Sequence, residues 1–342
     1  MSPDAPQPHF VQSHQEDPHA GRAELLAGLQ QSPARVAPKF LYDALGSRLF
    51  DAITELAEYY PTRTEASILA QNGAEIACAV APGSVLIDLG AGSCAKASRL
   101  FASLQPGAYV AVDISVDYLR ASLQALQQRH LGLPMLGLGQ DFSSELALPE
   151  AALRWLSTQG AHAAPRTVFY PGSSIGNFSP SEALALLRQA HALCAAGGAG
   201  GGILIGVDRV KSKAVLEPAY DDALGVTAAF NRNLLLHVNR VLGTDFQPAQ
   251  WDHVGLFDEA QSRIEMHLQA RCAQTVRWPQ GERYFAAGER MHTENSYKWS
   301  PEGFAALLSE SGFGPARQWT DAKGWFSVFW APASMGTETA SL

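Results

Sequence analysis

Between Val85 and Val207, short apolar runs alternate with helical stretches, and acids or glycines stand at the ends of the runs. No other feature constrains the fold of this 342-residue chain as strongly. The runs are Val85 to Leu89, Tyr109 to Val112, a weaker Leu136 to Asp141, Val168 to Tyr170 and Ile203 to Val207. Runs this short, bounded by turn residues, are those of strands buried on both faces. Ala95 to Leu104, Ser115 to Arg129 and Pro180 to Cys194 read as the intervening helices. Strands alternating with helices predict an α/β fold with a doubly wound, Rossmann-like parallel sheet. The glycine-rich Ala199 to Gly202 reads as a turn entering the fifth strand.

The alternation stops at Asp208. From there to Gly312 the sequence reads as mostly helical or irregular, and it is too long for a connection. It therefore reads as an inserted domain. A closing pair, Ala316 to Thr320 and Phe326 to Trp330, would add an antiparallel edge strand. Upstream, Leu41, Leu45, Leu49 and Ile53, with Phe50 and Leu56, form one helical apolar face. That helix should stop before Pro61, and Thr62-Arg-Thr-Glu65 fits a capping box opening the next. The expected division is a sheet domain at 63–207 and 299–335, and an inserted domain at 21–62 and 208–298. Residues 1–20, rich in Pro, Gln and His, read as a disordered tail, with His9, His14 and His19 as scattered polar residues.

Several function classes are disfavoured by composition. Lys plus Arg is 25 and Asp plus Glu is 33, a net charge of −8 that suits no nucleic-acid surface. The four cysteines, Cys78, Cys94, Cys194 and Cys272, form no C-x-x-C, so neither a disulfide framework nor a zinc knuckle is suggested. No apolar run is long enough for a membrane helix, and the N-terminus lacks the basic and apolar parts of a secretory signal. The expectation is a cytoplasmic monomer acting on a small molecule, with no metal.

Three glycine motifs compete for the chemistry. Gly90-Ala-Gly92-Ser-Cys-Ala95 satisfies the dinucleotide pattern G-x-G-x-x-A formally. Asp88, two residues earlier, tips the balance. A pyrophosphate gains nothing from a carboxylate there, whereas a ligand carrying a sulfonium and an ammonium does. The acid followed by L-G-x-G resembles the first motif of class I S-adenosylmethionine-dependent methyltransferases. Asp113, 23 residues after Gly90, can accept both ribose hydroxyls in either kind of site. Asp141-Phe142 follows the third strand, where such enzymes hold the adenine. Gly172-Ser-Ser174-Ile-Gly176 matches the hydrolase nucleophile elbow. An elbow needs its helix to start at once, but Ser179-Pro180-Ser-Glu182 places the start near Pro180. Ser174 therefore falls in a loop, with Asn177 where amine-methylating enzymes place an amide or an acid.

Longer strings make the resemblance specific. Phe40-Leu-Tyr42-Asp-Ala-Leu-Gly-Ser47, Glu58-Tyr59-Tyr60-Pro-Thr-Arg-Thr-Glu65, Gly172 to Asn177, Ala219 to Asn233, Arg263-Ile-Glu-Met266 and Thr293-Glu294-Asn-Ser296 occur together. Over residues 35–332 the chain resembles the bacterial L-histidine Nα-methyltransferases of ergothioneine biosynthesis. Asn295 and Cys94-Ala95 depart from the family pattern. The resemblance implies that Gly90, Lys96, Asp113, Asp141 and Phe142 contact S-adenosylmethionine. It implies that Tyr59, Asn177, Tyr220, Glu294 and Ser296 hold histidine, that Met266 lines the imidazole pocket, and that Tyr42 orients the amine. The implied reaction is trimethylation of the α-amine. Alternatives are another aromatic amino acid as substrate, an NAD-binding oxidoreductase and a non-catalytic cofactor binder.

Overall fold

The computed structural model describes residues 7–12 and 18–333. In chain order the strands are β1 (His9–Gln12), β2 (Val85–Leu89), β3 (Ala108–Asp113), β4 (Met135–Gly139), β5 (Pro165–Tyr170), β6 (Gly198–Asp208), β7 (Trp251–Asp258), β8 (Arg263–Ala270), β9 (Gln274–Trp278), β10 (Gly281–Phe285), β11 (Arg290–Tyr297), β12 (Arg317–Thr320) and β13 (Phe326–Pro332). One eight-stranded sheet has the order β1-β4-β3-β2-β5-β6-β13-β12. Strands β1 to β6 are parallel, and β13 runs antiparallel between β6 and β12. The doubly wound reading therefore holds. The antiparallel strand lies inside the sheet, with its hairpin partner β12 at the edge. The strand order reverses about β2, so a crevice opens beyond the carboxyl ends of β2 and β5.

Both faces of the sheet are covered. Val110, Leu136, Ile205, Phe304 and Phe329 belong to the core on one side, and Leu86, Tyr109, Phe169 and Leu204 to that on the other. A third core joins Leu25, Tyr60, Phe230, Trp251, Met266 and Phe285, drawn from both sides of the sheet-forming segment. Each such fully buried large side chain is worth about 1.5–3 kcal/mol in transfer free energy, which holds these distant segments together.

Several expectations need correction. The stretch 208–312 holds strands that the sequence reading did not expect. It contains the antiparallel sheet β11-β8-β7 and the hairpin β9-β10, beside the helix Val226–Leu242. The tail at 1–20 is not wholly unstructured. His9–Gln12 pairs with β4, and the Phe10 ring occupies the space over Gly137, where a Cβ would lie 2.3 Å from it. Four residues are too few to show a period. The helix Pro18–Leu29 also begins inside that stretch. His14 lies outside the described residues.

The proposed capping box is overridden as well. The helix runs from Tyr60 to Gln71, with Pro61 inside its first turn, where a missing N–H costs nothing. Glu65 is thereby buried in the helix rather than capping it. Ala95 to Leu104 divides into Ala95–Ser98 and Phe101–Leu104. The Ala199 to Gly202 turn is strand, because Cβ atoms at Gly201 and Gly202 would meet the Arg166 and Ala331 carbonyls at 2.6 and 2.5 Å.

The insertion leaves and returns at one place. The Trp299 amide donates to the Asp208 carbonyl (3.0 Å). This sets the end of β6 beside the end of β11, over the crevice. No helix among the described residues is long and apolar enough to cross a membrane.

Candidate active site

A cavity of about 690 Å³ lies beyond the carboxyl ends of β2, β3, β4 and β5, within the range of small-molecule sites. Gly90, Lys96, Asp113, Asp141 and Phe142 all line it. Gly90 has φ 68°, a conformation that glycine adopts without strain, and it bares the backbone at the end of β2. Asp113 accepts from the Gly92 and Ser115 amides (2.8 Å each), which fixes its carboxylate at the end of β3. Burial nevertheless pushes its pKa up, as expected of an acid short of partners on its open side.

Asp141 is held differently. It accepts from the Ser143 hydroxyl, from Lys39 (2.9 Å) and from the Ser143 amide (3.0 Å), and these bonds draw its pKa down against the opposing effect of burial. Lys39 belongs to the segment before the sheet and closes the cavity's outer wall, bridging to Glu24 at 2.8 Å. Phe142 sets an apolar ring beside this acid, edge to face with Tyr170 (5.8 Å between centroids). Lys96 pairs with buried Glu65 at 3.0 Å, and Glu65 also accepts from the Gly172 amide (2.8 Å). A Cβ at Gly206 would lie 1.9 Å from that carboxylate, so β6 needs glycine there to admit it.

Behind this cavity lies a smaller compartment, lined by Tyr42, Tyr59, Asn177, Tyr220, Met266, Glu294 and Ser296, together with Phe50, Phe230 and Thr227. Tyr42, Phe50, Tyr59, Gly172, Ser174 and Asn177 line both spaces, so the two adjoin. Every site residue expected from the sequence lines one or the other.

Local chemistry explains the convergence. Asp43 caps the helix Ala44–Thr54 through the Gly46 amide (2.7 Å), and the Tyr42 carbonyl accepts from Ser115 (2.6 Å). Tyr42 is thus tied to the loop carrying Asp113. Its ring meets Phe50 and Phe230 edge-on, and Phe50 and Tyr220 meet Tyr59, forming an aromatic box. On β11 a bulge between His292 and Glu294 re-aims the strand. Glu294 then stands opposite Met266, and Ser296 opposite Ile264. The Asn177 loop approaches closely because Gly176 has no Cβ; one would lie 2.9 Å from the Tyr297 carbonyl. Asn177 donates to Glu294 at 3.2 Å.

The electrostatics are pronounced. Burial pushes Glu294 up to about 8, opposed by the positive charge of Lys298 and the Asn177 bond. Tyr42, Tyr59 and Tyr220 are raised well above the usual phenol value, first by burial, so their hydroxyls stay protonated. Neither the Tyr42 nor the Tyr59 hydroxyl has a hydrogen-bond partner among the described residues. Each is a donor that can serve a ligand.

Two expectations about the motifs resolve differently. Asp88 does not line either space. It lies inside the sheet, accepts from the Tyr109 hydroxyl (2.7 Å), and burial pushes it up to about 7. Ser174 begins a short 3-10 turn, its hydroxyl donates to the Pro171 carbonyl (3.2 Å), and the following helix starts at Pro180 with a full capping box. This is not an elbow.

Sequence reasoning missed Lys39, Asp208 and Lys298. A signal for Lys298 existed, because 294, 296 and 298 alternate onto one strand face. Among the described residues, no group of three or more His, Cys, Asp or Glu side chains could hold a metal ion.

Residues 21–333 match the family model described as histidine-specific methyltransferase, SAM-dependent. The chain belongs to this family. It is 39% identical over 314 residues to the Histidine N-alpha-methyltransferase of Mycolicibacterium smegmatis, covering 90% of this chain and 93% of that one. It is 37% identical to the protein of the same name from Mycobacterium tuberculosis, with the same coverage. It is also 30% identical to Ergothioneine biosynthesis protein 1 of Neurospora crassa, over 85% of this chain and 32% of that longer one. Family membership sets aside both the oxidoreductase and the non-catalytic binder.

Proposed function

We propose that the chain transfers three methyl groups to the α-amine of L-histidine, giving hercynine, the first step of ergothioneine biosynthesis. The observation that carries this reading is the compartment in which Glu294, the Tyr220–Ser296 hydroxyl pair and Asn177 converge within an aromatic box next to the larger cavity. S-adenosylmethionine supplies an electrophilic methyl group on a sulfonium. The larger cavity suits it. Asp113 offers an anionic acceptor to a diol, Asp141 with Phe142 an acceptor beside an apolar face for the adenine, and Lys96 a cation for a carboxylate. Gly90 lets the ligand approach the backbone.

In the inner compartment, the protein's work is orientation and charge. Tyr59 and Asn177 hold the α-carboxylate and amine, and Tyr42 stands near the amine. A well-oriented nucleophile gains most of what a methyl transferase can supply. The amine lone pair attacks the methyl carbon as the carbon–sulfur bond breaks, leaving S-adenosylhomocysteine. The first two products are ammonium ions and must lose a proton before the next transfer; the third has none to lose. Since burial holds the tyrosines protonated, none of them is the base. The attacking amine is selected in its neutral form. The aromatic box favours the quaternary product.

Glu294 accepts an imidazole N–H. Burial pushes this carboxyl up to about 8, so it accepts as a carboxylate once that proton is lost, and the charge of Lys298 favours the loss. Ser296, paired with Tyr220 at 2.8 Å, meets the other nitrogen, and Met266 lies behind the ring. The substrate-binding part comprises 21–62 and 208–298, and the cofactor-binding part 63–207 and 299–335. We take the enzyme to act as a cytoplasmic monomer, and a sedimentation mass near 36.6 kDa checks the latter. Mass spectrometry of products from a panel of twenty amino acids tests the substrate. Histidine should gain up to three methyl groups, and preferential methylation of another aromatic amino acid would displace it.

A further inference from the structure

Lys298 is fully buried just beyond β11, on the side of Glu294 and Ser296. An ammonium has three N–H groups. Here they go to Asp208 (2.9 Å), the Tyr220 hydroxyl (2.8 Å) and the Ser296 hydroxyl (2.8 Å). Asp208 does not depend on Lys298 for neutrality. It also pairs with buried Lys211 (2.5 Å) and accepts from Tyr60 (2.6 Å). One carboxylate thus faces two ammonium groups, and the surplus positive charge lies toward Glu294. The other ionisable groups around Glu294 are the Tyr42, Tyr59 and Tyr220 hydroxyls, all held neutral.

We propose that Lys298, backed by Asp208, is a positioning residue of the histidine subsite: it fixes the Tyr220 and Ser296 hydroxyls and supplies the charge that lets Glu294 meet an imidazole as a carboxylate. This rests on the histidine reading. Because Lys298 donates to both hydroxyl oxygens, each has fewer free lone pairs, and the pair is ordered before a ring arrives. A buried carboxyl beside a fixed cation ionises more readily than one without it. The two effects are separable.

Two variants and one probe test the inference. Lys298→Met removes donor and charge, leaving the Asp208–Lys211 pair intact; Lys298→Gln keeps N–H donors without the charge. The probe is 3-(imidazol-4-yl)propionate, which lacks the amine and its titration. Its affinity for the S-adenosylhomocysteine complex is measured across pH 6 to 9, with KM and kcat for histidine alongside. In the parent, the probe should bind more tightly as pH rises, until Glu294 has lost its proton. In both variants the midpoint of that rise should move up by about one pH unit. KM for histidine should rise roughly tenfold in Lys298→Met, less in Lys298→Gln, with kcat changed less than KM. In a Glu294→Gln background, the pH shift should vanish. S-adenosylhomocysteine affinity should hold throughout.

Variants that bind S-adenosylhomocysteine normally, with KM and pH midpoint within about twofold and a few tenths of a pH unit of the parent, would overturn the inference. Loss of S-adenosylhomocysteine binding in both variants would overturn it too, since Lys298 would then hold the fold rather than the subsite. A parent that leaves histidine unmethylated would instead sink the substrate assignment.

Discussion

Glu294→Gln should make the protein more stable and less active, and the stability gain should grow with pH. Glu294 is 6% exposed, and burial lifts its pKa from 4.5 to about 8. A carboxyl whose pKa is raised on folding is easier to bury protonated than ionised. The stability it permits is fully present below its unfolded value of 4.5 and is lost as pH rises through about 8. At about 1.4 kcal/mol per pH unit, the full interval sets a ceiling of roughly 5 kcal/mol. Relaxation and water entry reduce such penalties, so about 2–3 kcal/mol is the expected gain at pH 8. Glutamine is nearly isosteric, carries no charge, and its carbonyl can still accept from Asn177. The assay is urea unfolding of both proteins at pH 5, 6, 7 and 8, with S-adenosylhomocysteine absent. The difference in unfolding free energy should be small at pH 5 and widen steadily. A difference that stays constant within about 0.5 kcal/mol over that interval would refute the reasoning, because Glu294 would not be carrying a charge against its surroundings. In the same variant, kcat/KM for histidine should fall by about 10- to 100-fold, as a charge-assisted bond worth about 1.5–3 kcal/mol is lost.

Other outcomes follow from the same geometry. Asp113→Ala should weaken S-adenosylhomocysteine binding about 10- to 100-fold by calorimetry, since a charged acceptor at the end of β3 is gone; unchanged affinity would remove Asp113 from the site. Glu294→Ala should lower the ratio of kcat/KM for histidine over tryptophan, and adding Met266→Val should lower it further, because the two residues face each other across β8 and β11. A ratio within about twofold of the parent's would mean that Glu294 does not read the ring. Gly206→Ala should displace Glu65 from the Gly172 amide and Lys96, lowering the melting temperature by several degrees; an unshifted transition would count against that contact. Single-turnover methyl transfer should accelerate from pH 7 to 9 as the substrate amine loses its proton; a flat profile would place the control elsewhere.

How far the sequence reached depended on whether a signal was local. Buried parallel strands announce themselves as short apolar runs, and β2 and β3 came out within a residue of their ends. The helix after the Asn177 loop was placed correctly because Ser179, Pro180 and Glu182 are all start signals in one turn. The insertion failed for a different reason. Arg263–Ala270 does alternate, with Ile264, Met266, Leu268 and Ala270 buried and the residues between them half-exposed. Its charged half hid a pattern that strict counting at period two would have caught. In β11 the alternation itself breaks, because the bulge after His292 changes parity. That break is what turns Glu294 and Ser296 into the site, so the irregularity that obscured the strand is also the one that serves the chemistry.

Buried charge was the least legible part, for a reason that is physical rather than statistical. Asp208 and Lys298 are 90 residues apart in the chain, and neither is unusual where it stands. Lys298 is tolerable in a dry interior because Asp208 is there, and Asp208 is satisfied by Lys298, Lys211 and Tyr60 together. The requirement belongs to the junction where the insertion leaves and rejoins the sheet, and no local window contains it. The same junction holds the ends of β6 and β11 side by side through the Trp299 amide. A fixed ammonium is thereby delivered to the hydroxyls of Tyr220 and Ser296. The seam between the two parts of the molecule is thus also the support of its inner compartment, and a change that loosened it would be felt first in how the imidazole is read.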